Sequence, residues 1–149
     1  KKMRIWIDAD GCPVRKLVLR IAEEFAIEVI QVADRSHEFR EGTVVLVDIG
    51  ADSAEFYIIS KARSGDLMIT QDYGAAALAL GKGLRVMDQN GREYTEANID
   101  GLLFERALSD KIRRVGGRTA RMKKRRKEDD ICFVEALRSL LQEISENGK

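Results

Sequence analysis

The chain is expected to fold as an α/β domain of three layers, a mostly parallel sheet of about five strands between helices. Two patterns lead there. Short apolar runs alternate with amphipathic stretches, and five of the runs stop at an aspartate: Asp8, Asp34, Asp48, Asp72 and Asp88. Size agrees, since 149 residues with 44% hydrophobic content can bury one substantial core, giving a single domain over 1–149.

Arg4 to Asp8 has the β-branched and aromatic character of a buried strand, and Pro13 stands where a helix can begin. Val14, Leu17, Val18, Ile21, Ala22 and Phe25 then follow the spacing of an amphipathic helix. Glu28 to Asp34 and Thr43 to Asp48 read as the second and third strands, separated by a polar loop with no helix in it. Asp52-Ser53-Ala54-Glu55 has the form of a capping box and opens a helix to about Arg63. Ser64-Gly65-Asp66 breaks it. Leu67 to Gln71 is the fourth strand, Ala75 to Leu80 a short alanine-rich helix closed by Gly81 and Gly83, and Leu84 to Asp88 the fifth strand. Asn90-Gly91 signals a turn before a longer helix over about Thr95 to Ile112. A basic loop at about 113–127 and a C-terminal helix at about 128–145, with Glu128, Asp129 and Asp130 in its first turn, complete the chain.

Charge is divided unevenly. Nine of the 26 basic residues fall within 113–127, where no acid occurs, so the rest of the chain carries 17 basic residues against 25 acidic ones. A solvated loop is the plain reading of such a segment. Its density of cations suits phosphate contact better, through Arg118, Arg121, Lys123, Lys124, Arg125, Arg126 and Lys127. No aromatic interrupts it, so backbone attraction without base readout is expected.

If the apolar runs are parallel strands, their carboxyl ends share the edge where open α/β sheets place their sites. Asp8 and Asp10, two apart after the first strand, can point the same way, and Asp72 holds the matching place after the fourth. Gathered carboxylates raise one another's pKa unless a cation offsets them, and Mg²⁺ or Mn²⁺ takes such oxygen ligands. A strand-end aspartate is also often a turn former or helix cap, which suffices for Asp34, Asp48 and Asp88. The capping box suffices for Asp52 and Glu55, although a helix start at that edge could lend a carboxylate to a metal.

Cys12 lacks a histidine neighbour and suits a small buried residue better than a nucleophile. His37, the only histidine, lies in the polar loop, so zinc centres and histidine-based triads fit poorly. Neither a P-loop nor a dinucleotide fingerprint occurs. Two cysteines outside any C-x-x-C spacing, no signal-like start and no apolar run of membrane-spanning length lead to the expectation of a cytoplasmic protein without a membrane.

Ile5 to Pro13, Gly50 to Glu55, Gly65 to Asp72, Tyr94 to Ile99, Gly116-Gly117 and Lys127 to Asp130 together resemble the YaiI/YqxD family of small bacterial proteins, itself grouped with PIN-like domains. That resemblance implies a PIN-like fold. It also implies a metal-dependent site with Asp8 as first ligand, an acid on the helix after the third strand as second, and Asp72 as third. Glu55 stands at the helix position, where relatives commonly carry aspartate, and Asp52 competes with it.

The leading expectation is a metal-dependent phosphodiesterase acting on RNA: Asp8, Asp10, Asp72 and Glu55 are the catalytic acids, these and Asp52 hold Mg²⁺ or Mn²⁺, and an activated water attacks a single-stranded RNA that the basic segment positions. Cys12 and Thr70 would support the site. Two alternatives stand beside it. One is a haloacid-dehalogenase-like phosphatase with Asp8 as nucleophile, Asp10 as acid/base and Thr70 on phosphate; the other is a non-catalytic RNA- or ribosome-binding module.

Overall fold

The computed structural model describes residues 2–34, 41–48, 53–117 and 124–147. In chain order these form β1 (Arg4–Asp8), α1 (Arg15–Glu24), β2 (Glu28–Asp34), β3 (Thr43–Val47), α2 (Ser53–Lys61), β4 (Leu67–Ile69), α3 (Tyr73–Gly81), β5 (Arg85–Met87), β6 (Glu93–Tyr94), α4 (Glu96–Arg114) and α5 (Lys127–Asn147). The sheet order is β3-β2-β1-β4-β5-β6. All neighbours are parallel except β5 and β6.

Period-two alternation along the strands builds the three layers. Ile5 and Ile7 of β1, Leu67 and Ile69 of β4 and Met87 of β5 face one core, filled by Val18 and Ile21 of α1 and Phe133 and Leu137 of α5. The intervening residues Trp6, Met68 and Val86 face the other, filled by Ile58 of α2, Ala76 and Ala79 of α3, and Ile99 and Leu102 of α4. The small side chains of α3 let its backbone lie close against the sheet. It sits between α2 and α4, touching both.

Helix ends follow local chemistry. Thr95 caps α4 by accepting from the Asn98 amide, while the Asn98 side chain accepts from the Thr95 amide in return. At the other end Gly116 adopts φ +82° and the Gly117 amide reaches the Ile112 carbonyl at 2.8 Å, the pattern that closes a helix by reversing the chain.

The fourth strand stops at Ile69, two residues short of Gln71, and three further features differ from expectation. A sixth strand, Glu93–Tyr94, adds to the sheet edge; two residues are too few to show a period, and its pairing with Val86 and Met87 is antiparallel. The helix α3 begins at Tyr73 rather than Ala75, because Asp72 accepts from the amides of Gly74 and Ala75 and so caps it. The basic loop is shorter than 113–127, since Arg113 and Arg114 form the last turn of α4 and Lys127 opens α5. Cations at a helix C-terminus favour its extension.

Candidate metal centre at the carboxyl edge

Strand order reverses between β1 and β4: from β1 the chain builds outward through β2 and β3, then returns to place β4 on the other side. Crevices at such switch points are where open α/β sheets take ligands. Asp8 ends β1 there, one step past the Ile7–Ile69 pair, and Asp72 follows β4 across the gap. A cleft of about 170 Å³ lies between them, lined by Asp8, Asp10, Cys12, Thr70 and Asp72. A larger cavity of about 510 Å³ opens at the opposite, amino edge. The carboxyl-edge cleft is the chemical candidate because its acids converge, whereas the one acid lining the larger cavity, Asp66, is already surrounded by donors.

Asp8 is the anomalous group. Its carboxyl is pushed up to about 8, first by burial, then by a hydrogen bond with Glu55 and by the charges of Glu55, Asp10 and Asp72. Two carboxyls in hydrogen-bond contact need a proton or a cation between them. Glu55 reaches this place from the first turn of α2, where the helix dipole favours an acid.

Asp10 and Asp72 stand nearby with one oxygen each engaged by backbone. Asp10 Oδ2 accepts from the Asp34 amide at 2.8 Å, tying the β1 exit to β2. Asp72 Oδ1 accepts from Gly74 at 2.8 Å and Ala75 at 3.2 Å, and Thr70, 4% exposed, accepts from the Asp72 amide at 3.1 Å through its hydroxyl. Among the described residues, no three His, Cys, Asp or Glu side chains are gathered tightly enough to hold a metal ion as they are placed. The donor chemistry still fits a hard divalent cation, because Asp8 and Glu55 are oxygen ligands already in contact, with no cation paired to either among the described residues.

Cys12 lines the cleft with its thiol pushed up by burial, which keeps it protonated and makes it packing support. Asp88 serves a turn, accepting at Oδ1 from the amides of Asn90 at 2.8 Å and Arg92 at 2.9 Å. Asp48 is exposed at the end of β3. Asp52, His37, Arg118, Arg121 and Lys123 lie outside the described residues.

Of the cations ahead of α5, Arg125 is committed to the fold: it bonds Asp130 Oδ1 at 2.8 Å, Asn90 Oδ1 at 3.0 Å and the Gln89 carbonyl at 2.8 Å. Through it the N-terminal turn of α5 is fastened to the β5–β6 turn, at the same edge as the acids. Lys124, Arg126 and Lys127 are exposed, Arg126 facing Asp129 at 3.9 Å. Arg106, which the motifs did not single out, places Nη1 3.8 Å from Asp72 Oδ1. Its signal was helical phase, since it continues the line of Ile99 and Leu102 on α4.

Comparison with known proteins matches residues 6–143 to the uncharacterised YaiI/YqxD family. Relatives named UPF0178 protein include one from Ruminiclostridium cellulolyticum, 48% identical over 149 residues, covering 99% of this chain and 97% of its own. Another, from Clostridium kluyveri, is 47% identical over 149 residues, covering 99% and 95%. A third, from Exiguobacterium sibiricum, is 44% identical over 143 residues, covering 95% and 98%. No solved structure matches.

Proposed function

The chain belongs to the YaiI/YqxD family, and from that premise we propose that it is a divalent-metal-dependent phosphodiesterase acting on single-stranded RNA in the cytoplasm. The observation that carries the reading is the contact of Asp8 with Glu55 at the switch point, a pair of carboxyls that only a proton or a cation can hold together. Mg²⁺ or Mn²⁺ is the natural occupant by size and ligand type. Two free cysteines suit a reducing compartment, and among the described residues no helix is long and apolar enough to cross a membrane.

Asp8 and Glu55 would be the ligands in contact with the ion. Asp10 and Asp72 add negative potential, and Asp72 also anchors the start of α3. A bound cation supplies charge against the phosphoryl oxygens and acidifies a water in the cleft. The chain's residues do the rest. Capping of α3 fixes Asp72, and Thr70 holds the turn before it by accepting from the Asp72 amide. Water attack forms one P–O bond as the ester P–O bond breaks, and the departing alkoxide takes up a proton.

Below about pH 8 Asp8 must release its proton for the cation to enter, so affinity rises with pH to that point. The same raised carboxyl weighs against Asp8 as a covalent nucleophile, which would have to be ionised to attack. A binding module without catalysis draws support from the engaged oxygens of Asp10 and Asp72.

Titration with Mn²⁺ tests the proposal. Wild type should show a thermal shift together with proton release below pH 8, and Asp8→Asn neither. Cleavage of single-stranded RNA should follow the same dependence. Absence of a Mn²⁺ response in the wild type would sink the metal reading, and Mn²⁺ binding without cleavage would favour the non-catalytic module.

A further inference from the structure

The helix α4 changes character along a single face. Ile99 and Leu102 on that face are buried in the core, 6% and 8% exposed. The next positions on the line, about one, two and three turns beyond Leu102, are Arg106, Ser109 and Arg113. Nothing in helix propensity requires this switch, because leucine and arginine are nearly equivalent formers.

Position explains it. Tyr94 pairs with Val86, so the chain leaves β6 toward the amino end of the sheet and α4 then runs back toward the carboxyl end. It reaches that edge at Arg106, whose guanidinium lies 3.8 Å from Asp72 at the start of α3. The remaining turns, to Arg114, continue about 12 Å further at the helical rise of 1.5 Å per residue. The face that is apolar where it meets the sheet becomes basic where it passes the acidic cleft.

Arg106 is 55% exposed and makes no hydrogen bond among the described residues; 3.8 Å is a charge contact that leaves its N–H donors available. Arg113 holds Asp110 at 2.7 Å in an exposed pair of the kind that contributes little and exchanges readily. A phosphodiester strand approaching Asp8, Asp10, Glu55 and Asp72 meets carboxylates, and flanking cations are what would make that approach favourable.

We infer that the outer half of α4 is a phosphate rail for single-stranded nucleic acid, with Arg106 at the phosphate beside the cleft and Arg113 about 10 Å further out along the helix. This rests on the phosphodiesterase reading for the direction of the strand.

The test is fluorescence anisotropy with labelled oligouridylate and its deoxy counterpart, in EDTA so that nothing is cleaved. Wild type is compared with the double variant Arg106→Gln/Arg113→Gln and with Lys16→Gln/Lys61→Gln, which removes equal charge from exposed positions on α1 and α2, away from α4. The arginine variant should lose about tenfold in affinity and shallow the salt dependence by about 1.4, the value for two phosphate contacts on a single strand. The lysine variant should lose less than about twofold, and the Mn²⁺ thermal shift should survive in both. A rail reading phosphates alone gives similar losses on both oligonucleotides. Equal losses in the two variants, an unchanged arginine variant, or a wild type that prefers polyglutamate would each overturn the rail. An intact Mn²⁺ shift in those cases leaves the metal reading standing, whereas a lost shift with the rail intact condemns the metal reading alone.

Discussion

Two carboxyls at opposite ends of the central strands, Asp66 buried and Asp8 half-buried, meet opposite surroundings. At the amino edge Asp66, 4% exposed, accepts from the Arg4 amide, the Trp6 indole and the Arg63 amide, each at 3.0 Å. At the carboxyl edge Asp8 faces Glu55, Asp10 and Asp72 and is pushed up to about 8. Burial among donors makes a carboxylate a structural clamp; burial among acceptors leaves it needing a proton or a cation. Identical side chains therefore do different work, and only the neighbours distinguish them.

The largest expected effect breaks the clamp. Asp66→Ala orphans three donors joining β1, β4 and the end of α2, and should cost about 3–5 kcal/mol in denaturant unfolding. If it cost as little as a surface change, the contrast between the two ends would fail. Next is Arg125→Ala, which unfastens α5 from the β5–β6 turn and should cost about 1–2 kcal/mol, read the same way.

The carboxyl edge should respond with the other sign. Asp8 keeps its proton in the folded chain to about pH 8 but releases it near 3.8 when unfolded. Between those values the folded form binds more protons, so metal-free stability falls as pH rises through that window and levels off above it. Asp8→Asn should flatten the decline and stabilise the metal-free protein above pH 8 by roughly 1 kcal/mol after allowance for solvent screening. Thermal melts from pH 5 to pH 9 would read it, and a wild type whose stability rose over that range would contradict the assignment.

The smallest effect separates fold from chemistry within one residue. Asparagine caps a helix as well as aspartate, so Asp72→Asn should change stability by less than about 0.5 kcal/mol, whereas Asp72→Ala costs about 1 kcal/mol. Both remove a charge from the cleft. Equal weakening of Mn²⁺ binding by the two variants would assign Asp72 an electrostatic role separate from its cap.

Much of this was legible residue by residue. The runs ending at Asp8 and Asp34, the apolar line from Val14 to Phe25 and the glycines at the end of α3 mark their elements because periodicity and capping are local properties. The turn role of Asp88 was likewise legible from Asn90-Gly91 beside it. Asp66 looked like a helix breaker, and nothing within a few residues of it announced that Arg4 and Trp6 would supply its donors. Arg106 gave only a phase signal, which gains meaning once the sheet edge is located. The sixth strand was invisible for want of length.

By itself the sequence determined five of the six strands, the amphipathic faces and the set of acids available at strand ends, since each follows from the preferences of neighbouring residues. Tertiary structure alone decided which acids meet. Asp8 and Glu55 are brought together by the strand order, and Asp66 is given donors by the close approach of β1 and β4. Whether a buried carboxyl becomes a clamp or a cation site depends on the field of its neighbours in space, and distance along the chain does not encode that field.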